Sequence, residues 1–264
     1  MTNFIISVTT IPSRIHHLYN RCKELLEQTY PASKIILNIP KKCRRTGETY
    51  IIPENLIKFL NSVENTVINY TKDYGPATKL LGLIHYKELS KLPENTIIIV
   101  IDDDMKYPKN LLEKYNIAYN IDKNKIYSFG GGQIISYDDK LPMIAWKKNK
   151  IINFIEGYLS WSISIKYFKK CINDFFKIQY MPKQVFLADD LYLSNIISKH
   201  RITMNKLDSK GVEIKQCDYS RGSDALHYSV VYKGNKKYEG CSGNLIRYRY
   251  VIDFLIKNNI FYFS

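Results

Sequence analysis

The 264-residue chain has no C-x-x-C pair, and its five cysteines, at 22, 43, 171, 217 and 241, lie far apart. That spacing excludes the common zinc folds, and the odd count leaves one sulfur over in any disulfide scheme, so a reduced, intracellular setting is expected. Long apolar runs are missing too. The start, MTNFIISVTTIPSR, carries no basic leader, its apolar stretch is too short for a signal peptide or a membrane span, and nothing later is long enough either. The expected location is therefore the cytoplasm, with no transmembrane segment. No Ser, Gly or Pro tract marks a disordered tail, and there is no internal repeat, no linker and no recognisable nucleic-acid motif.

What is present is a globular composition, 45% hydrophobic and 24% charged, long enough to bury a sizeable core. Lys and Arg number 39 against 25 Asp and Glu, a net charge of +14 and a pI near 9.3. Such a balance favours anionic partners: nucleic acid, an acidic membrane surface or a phosphorylated small molecule. The basic residues are scattered, and the short clusters KKCRR (41–45), KKNK (147–150) and KGNKK (233–237) read first as solvated loops. The 22 tyrosines and abundant Ile, Asn and Lys suggest AT-rich codon usage, which raises exposed lysine and tempers the charge argument.

NFIISVTT (3–10) reads as a strand buried on both faces. After Pro12, Ile15, Leu18, Cys22, Leu25 and Leu26 recur at helical spacing. KIILNI (34–39) and TVINYT (66–71) are further strands, with a short helix near 54–60 between them. PATKLLGLIHYKEL (76–89) predicts a helix with proline in its first turn, and TIIIVI (96–101) a fourth, central strand. This alternation argues for a doubly wound parallel sheet over the first half. Ligands bind such sheets beyond the carboxyl ends of the strands, so TTIPSR, DYGPATK and DDD are expected on one rim. The second half is less regular: strand, glycine turn and strand over 126–137, loop and strand over 156–165, a helix over 186–200 with two aspartates in its first turn, a strand over 201–207 and a helix over 244–258. We expect a single domain over 1–264.

Asp102, Asp103 and Asp104 follow the most apolar strand directly. Neighbouring carboxylates repel, and a divalent cation is the usual way to make such a cluster favourable. Oxygen ligands suit Mg²⁺ or Mn²⁺, which take phosphate oxygens as their remaining ligands. The competing reading is a turn in which one Asp caps the helix near Pro108 and the others face water.

IIIVIDDD resembles the D-x-D motif of nucleotide-sugar glycosyltransferases of the GT-A fold, family 2-like, and over roughly residues 3 to 230 the other pieces follow in that family's order. The resemblance implies an α/β fold, Rossmann-like, doubly wound and mainly parallel, with a smaller mixed acceptor-side region. It implies a nucleotide-sugar-binding half over 1–125 and an acceptor-binding half over 126–264. VTTIPSR, with Thr10 and Arg14, is similar to the loop that receives the nucleotide. DYGPATKLLG would set Asp73 toward the nucleoside and Lys79, with Arg14, toward the diphosphate. Asp102 and Asp104 would form the D-x-D, Asp104 the more direct metal ligand and Asp102 nearer the ribose or a metal-bound water; Asp103 would serve the sugar or only the turn. EGYLSWSISI matches the acceptor-facing loop, where Trp161 stacks on a sugar or belongs to the core. ADDLYLS matches the acidic motif with the catalytic base, Asp190 or Asp189, the former favoured; the family often has Glu-Asp where this chain has Asp-Asp. In DALHYS, His227 would be a metal ligand.

The resemblance thus implies a metal-dependent hexosyltransferase, with Mn²⁺ or Mg²⁺, moving a sugar from a nucleoside diphosphate donor, UDP first, to a carbohydrate, protein or lipid-linked acceptor. A base on the face opposite the leaving group would invert the anomeric carbon; retention stays open. Two rival readings stand beside it. A metal-dependent phosphoryl-transfer enzyme or phosphatase also uses clustered aspartates, though its best-known form places them after the first strand. A basic nucleic-acid-binding protein would explain +14, yet an acidic rim repels phosphates, and nucleic acid is not expected as a partner.

Overall fold

The computed structural model describes residues 2–137, 140–145, 150–221 and 243–263. Strands β1 (Phe4–Thr9), β2 (Lys34–Pro40), β3 (Thr66–Thr71) and β4 (Ile97–Ile101) pair in parallel in the order β3-β2-β1-β4. Around and between them lie α1 (Leu18–Leu26), α2 (Glu54–Asn61) and α3 (Thr78–Leu81). After β4 come a two-residue strand β5 (Met105–Lys106), α4 (Leu111–Ile121), β6 (Ile126–Ser128), β7 (Gly131–Tyr137), β8 (Lys140–Ala145), β9 (Ile151–Ile152), β10 (Phe154–Ile155) and β11 (Trp161–Ser164). The rest comprises α5 (Ile165–Phe175), α6 (Lys183–Phe186), α7 (Asp189–Lys199), β12 (Met204–Lys206), β13 (Lys215–Gln216) and α8 (Gly243–Lys257). The main sheet continues through β4-β11-β6-β12-β9, so it draws strands from both halves of the chain. It is a mixed α/β architecture with a large, mainly parallel central sheet.

Alternation along the strands fixes the layers. Phe4, Ile6, Val8, Ile97, Ile99 and Ile101 turn to a core shared with α1, α2 and α4, whereas Ile5, Ile36, Ile98 and Val100 turn to a core shared with α3, α5, α7 and α8. With both faces covered, β4 can be apolar at every position, and each isoleucine contributes about 1.5–3 kcal/mol. Trp161, 1% exposed, belongs to this packing rather than to any open surface.

β11 runs antiparallel between β4 and β6, with Trp161 opposite Val100 and Ser128. Its reversal decides where chemistry can occur. Parallel strands bring their carboxyl ends to one rim, and an antiparallel neighbour brings its amino end there, so the turn before β11 meets the end of β4.

The expected helix over 76–89 is a correction: α3 holds four residues and gives way on both sides to 3-10 turns, Gly75–Ala77 and Gly82–His85. The carbonyls of Lys79 and Gly82 accept side-chain bonds from Ser7 (2.5 Å) and Asn69 (2.8 Å), which compete with the helical ladder. Asn38 links the two, donating to Ser7 at 2.8 Å and accepting from Asn69 at 2.8 Å. Gly82 lies so close to this line that a Cβ there would sit 2.6 Å from the Asn38 side chain. Among the described residues, no helix is long and apolar enough to cross a membrane.

Candidate functional site

The ends of β1 and β4, the turn after β3, the turn before β11 and the start of α7 enclose a cleft of about 740 Å³. Thr10, Arg14, Asp73, Lys79, Asp102, Asp103, Asp104, Asp189 and Asp190 all line it, so nine of the residues singled out in the sequence meet in one place. His227 lies outside the described residues, as do the KGNKK run and most of KKNK.

Pro12 opens a 3-10 turn, Pro12–His17, that swings Arg14 back over the cleft. Its guanidinium reaches Asp103 Oδ1 at 2.9 Å and Asp104 Oδ2 at 2.7 Å, so two neighbouring acids share one fork. Thr10 Oγ1 donates to the other oxygen of Asp103, whose side chain is 6% exposed. Asp103 is thereby held inward by the protein itself. Burial, then the charges of Asp102 and Asp103, push the Asp104 carboxyl up to about 6 despite Arg14. Asp102 and Asp104 remain partly open, at 27% and 20% of their side chains.

Lys79 occupies the centre. Its ammonium is 2.9 Å from Asp102, 3.3 Å from Asp189 and 3.6 Å from Asp190. Burial alone would lower its pKa, but Asp102, then Asp189 and Asp190, outweigh that and hold it well above the ordinary lysine value. The family resemblance set Lys79 toward a bound diphosphate; here it is a buried cation joining the strand-end acid to the two acids of α7.

The α7 carboxylates differ from each other. Asp190 Oδ2 accepts the N–H of Gly157 at 2.8 Å, while its buried Oδ1 faces the Lys79 ammonium at 3.6 Å, as Asp189 Oδ2 does at 3.3 Å. Asp190 is the more reachable, its side chain 17% exposed against 7% for Asp189. Burial raises both carboxyls against the pull of Lys79, that of Asp189 to about 7.

Asp73 is less free than the sequence suggested. Its Oδ1 accepts from the N–H of Gly75 (2.6 Å) and its Oδ2 from the N–H of Arg44 (2.5 Å), so it ties two loops together at the cleft edge.

Several groups at or behind the cleft wall carried no readable signal. Tyr107 accepts the N–H of Asp102 and donates to the carbonyl of Tyr158, both at 3.0 Å, which pins the end of β4 to the turn before β11. Glu156, driven up to about 7 by burial and then by Asp190, adds a further carboxyl to that wall. Gly157 stands out only by what it lacks: a Cβ there would fall 2.3 Å from Asp190 Oδ1 and 2.9 Å from Lys79 Nζ. EGYLSW pointed to the segment, but neither Glu156 nor Gly157 within it.

No family model matches this chain, and no curated protein matches it either. Among solved structures it is similar to S. aureus TarS 1–349 in complex with UDP, at 14% identity over 78% of this chain and 58% of that one, with a TM-score of 0.48. The complex of the same fragment with UDP-GlcNAc gives 12% identity, coverage of 78% and 56%, and a TM-score of 0.45. S. aureus TarS itself gives 12%, 83% and 37%, with a TM-score of 0.49. The chain spans from 37% to 58% of the length of these structures.

Proposed function

We propose that the protein is a glycosyltransferase moving a sugar from a nucleoside diphosphate donor, UDP in the first instance, to a hydroxyl of a carbohydrate, protein or lipid-linked acceptor, with inversion. The observation that carries this reading is the lattice around Lys79. It joins a strand-end acid cluster suited to a metal and diphosphate to a second, separate carboxylate, Asp190, on the cleft wall.

Among the described residues, no group of three or more His, Cys, Asp or Glu could hold a metal alone. Mg²⁺ and Mn²⁺ do not require one, because one or two carboxylates with substrate phosphates and water suffice. Asp102 and Asp104 fit that donor set: both offer carboxylate oxygens, both line the cleft, and burial, then the charges of Asp102 and Asp103, raise Asp104. A cation held there would supply charge to offset the departing diphosphate.

The residues of the chain do the rest. Arg14 and Lys79 keep the acid cluster from repelling an anionic donor. The Asp190 carboxylate takes the proton from the acceptor hydroxyl as the hydroxyl oxygen bonds to the anomeric carbon; the bond from that carbon to the phosphate oxygen breaks, and its electron pair leaves with the diphosphate. Gly157 orients that carboxylate through Oδ2. Gly157→Ala should therefore lower transfer by about 10²-fold, the scale on which a misplacement of 1 Å acts.

The decisive test is calorimetric titration of UDP, and of other nucleoside diphosphates, with Mn²⁺ and with chelator, beside Asp104→Ala. Binding that needs metal and is lost in the variant is the expected result. No binding of any nucleotide under either condition would return the aspartates to a plain turn and sink the proposal.

A further inference from the structure

Three adjacent carboxylates repel one another; Thr10, Arg14 and Lys79 hold their side chains, and the backbone of the turn is held separately. What holds it lies behind the cleft, in residues the proposed chemistry does not use. The carbonyl of Asp103 accepts two bonds, from Arg21 Nε at 3.3 Å and from the Tyr219 hydroxyl at 2.9 Å. The carbonyl of Asp104 accepts the N–H of Cys217 at 2.9 Å. Immediately beyond, Lys215 and Gln216 of β13 pair with Lys106 and Met105 of β5.

Arg21 is 3% exposed, and a guanidinium that deep is costly unless its donors are used. They are: besides Asp103 they reach the Tyr219 hydroxyl at 3.3 Å, the Cys217 sulfur at 2.9 Å and the carboxylate of Glu24. The ring of His17 stacks on Tyr219, centroids 3.6 Å apart and planes within 5°, which fixes the hydroxyl from the other side. One bolt from α1 and one segment more than a hundred residues downstream thus grip two successive peptide carbonyls of the aspartate turn.

We propose that Arg21 and Tyr219 are positioning residues of the donor site, which set the direction of Asp102 and Asp104 by holding the carbonyls of their turn from behind. This rests on the glycosyltransferase reading for its consequence, though not for its geometry. Neither residue lines the cleft, so both would act wholly through the turn.

The test uses Tyr219→Phe, which removes only the hydroxyl, with Arg21→Lys and Arg21→Met in the full chain. Hydrogen exchange of the amides of residues 102–106 reads the clamp without any ligand. Calorimetry of UDP with Mn²⁺, well below the melting temperature, reads its consequence. We expect faster exchange confined to the turn in Tyr219→Phe and a roughly 10- to 100-fold weaker UDP affinity, the range for partners that orient metal ligands. Arg21→Lys should recover part of what Arg21→Met loses. Lower melting temperatures with unchanged affinity and unchanged turn exchange would make the pair merely structural and overturn the inference. If the unmodified protein binds no nucleotide, the functional reading fails by itself, and the exchange data still decide the clamp.

Discussion

Asp190→Asn is expected to lower sugar transfer by on the order of 10²- to 10⁴-fold, the usual contribution of a positioned general base, while leaving UDP affinity nearly unchanged. The split comes from the two ends of the lattice. Asp102 and Asp104 would face the proposed nucleotide, whereas Asp190 stands across Lys79 from Asp102, with Oδ2 fixed by Gly157 and Oδ1 turned to Lys79. Asparagine keeps an oxygen for the Gly157 N–H but cannot accept a proton. Because burial raises the carboxyl, the unmodified protein should lose rate on its acidic limb at a higher pH than an ordinary aspartate would give, and that limb should vanish in the variant. Rapid-quench transfer measurements, paired with calorimetry and with Asp189→Asn, check both points. Full transfer by Asp190→Asn with loss in Asp189→Asn would move the base one residue back.

Lys79→Met should be the most destabilising single change at the site. Its ammonium is buried, and its removal leaves Asp189 and Asp190 buried without a cation; Asp102, partly open, suffers less. Breaking a buried pair in this way costs about 3–5 kcal/mol, and at about 2–4 °C per kcal/mol the melting temperature falls by on the order of 10 °C. The sign of the pH dependence is fixed. The carboxyl of Asp189 already titrates near 7 in the folded state against about 3.9 unfolded, and loss of Lys79 raises it further. Relative to the unmodified protein, whose Asp189 is already protonated below about 7, the added penalty therefore grows as pH climbs above 7 and fades as pH falls below it. Thermal unfolding at pH 4.5 and pH 8 tests this: an equal deficit at both would mean lost packing instead of unpaired charge.

Much of the sheet was legible because its buried strands are dominated by apolar residues, as in IIIVI and in FIISV, where Ser7 is the one polar residue. The acids of the site were legible for the opposite reason: Asp102–Asp104 and Asp189–Asp190 are arrangements that repel unless something compensates. The compensation was not. Lys79 sits in a segment whose apolar spacing reads as one helix, and only contacts with Ser7 and Asn69, distant in sequence, break it into turns. Asp73 looked available because the backbone N–H groups it captures are invisible to residue type. Tyr107 and Glu156 gained their places from the antiparallel insertion of β11, a long-range event that no local pattern announces.

The line Asn69–Asn38–Ser7, ending on the carbonyl of Lys79, also has a kinetic meaning. Its two side-chain links each join residues 31 positions apart and the last, from Ser7 to Lys79, spans 72, and the first two join residues of β1, β2 and β3. Closing loops of that length before any contact rewards them is slow. Until it happens the ammonium has no seat, and the carboxylates around it have no reason to gather. The seat of the Lys79 ammonium therefore depends on the pairing of β1, β2 and β3, so a change at Asn38 in the sheet would reach the cleft through a line of hydrogen bonds.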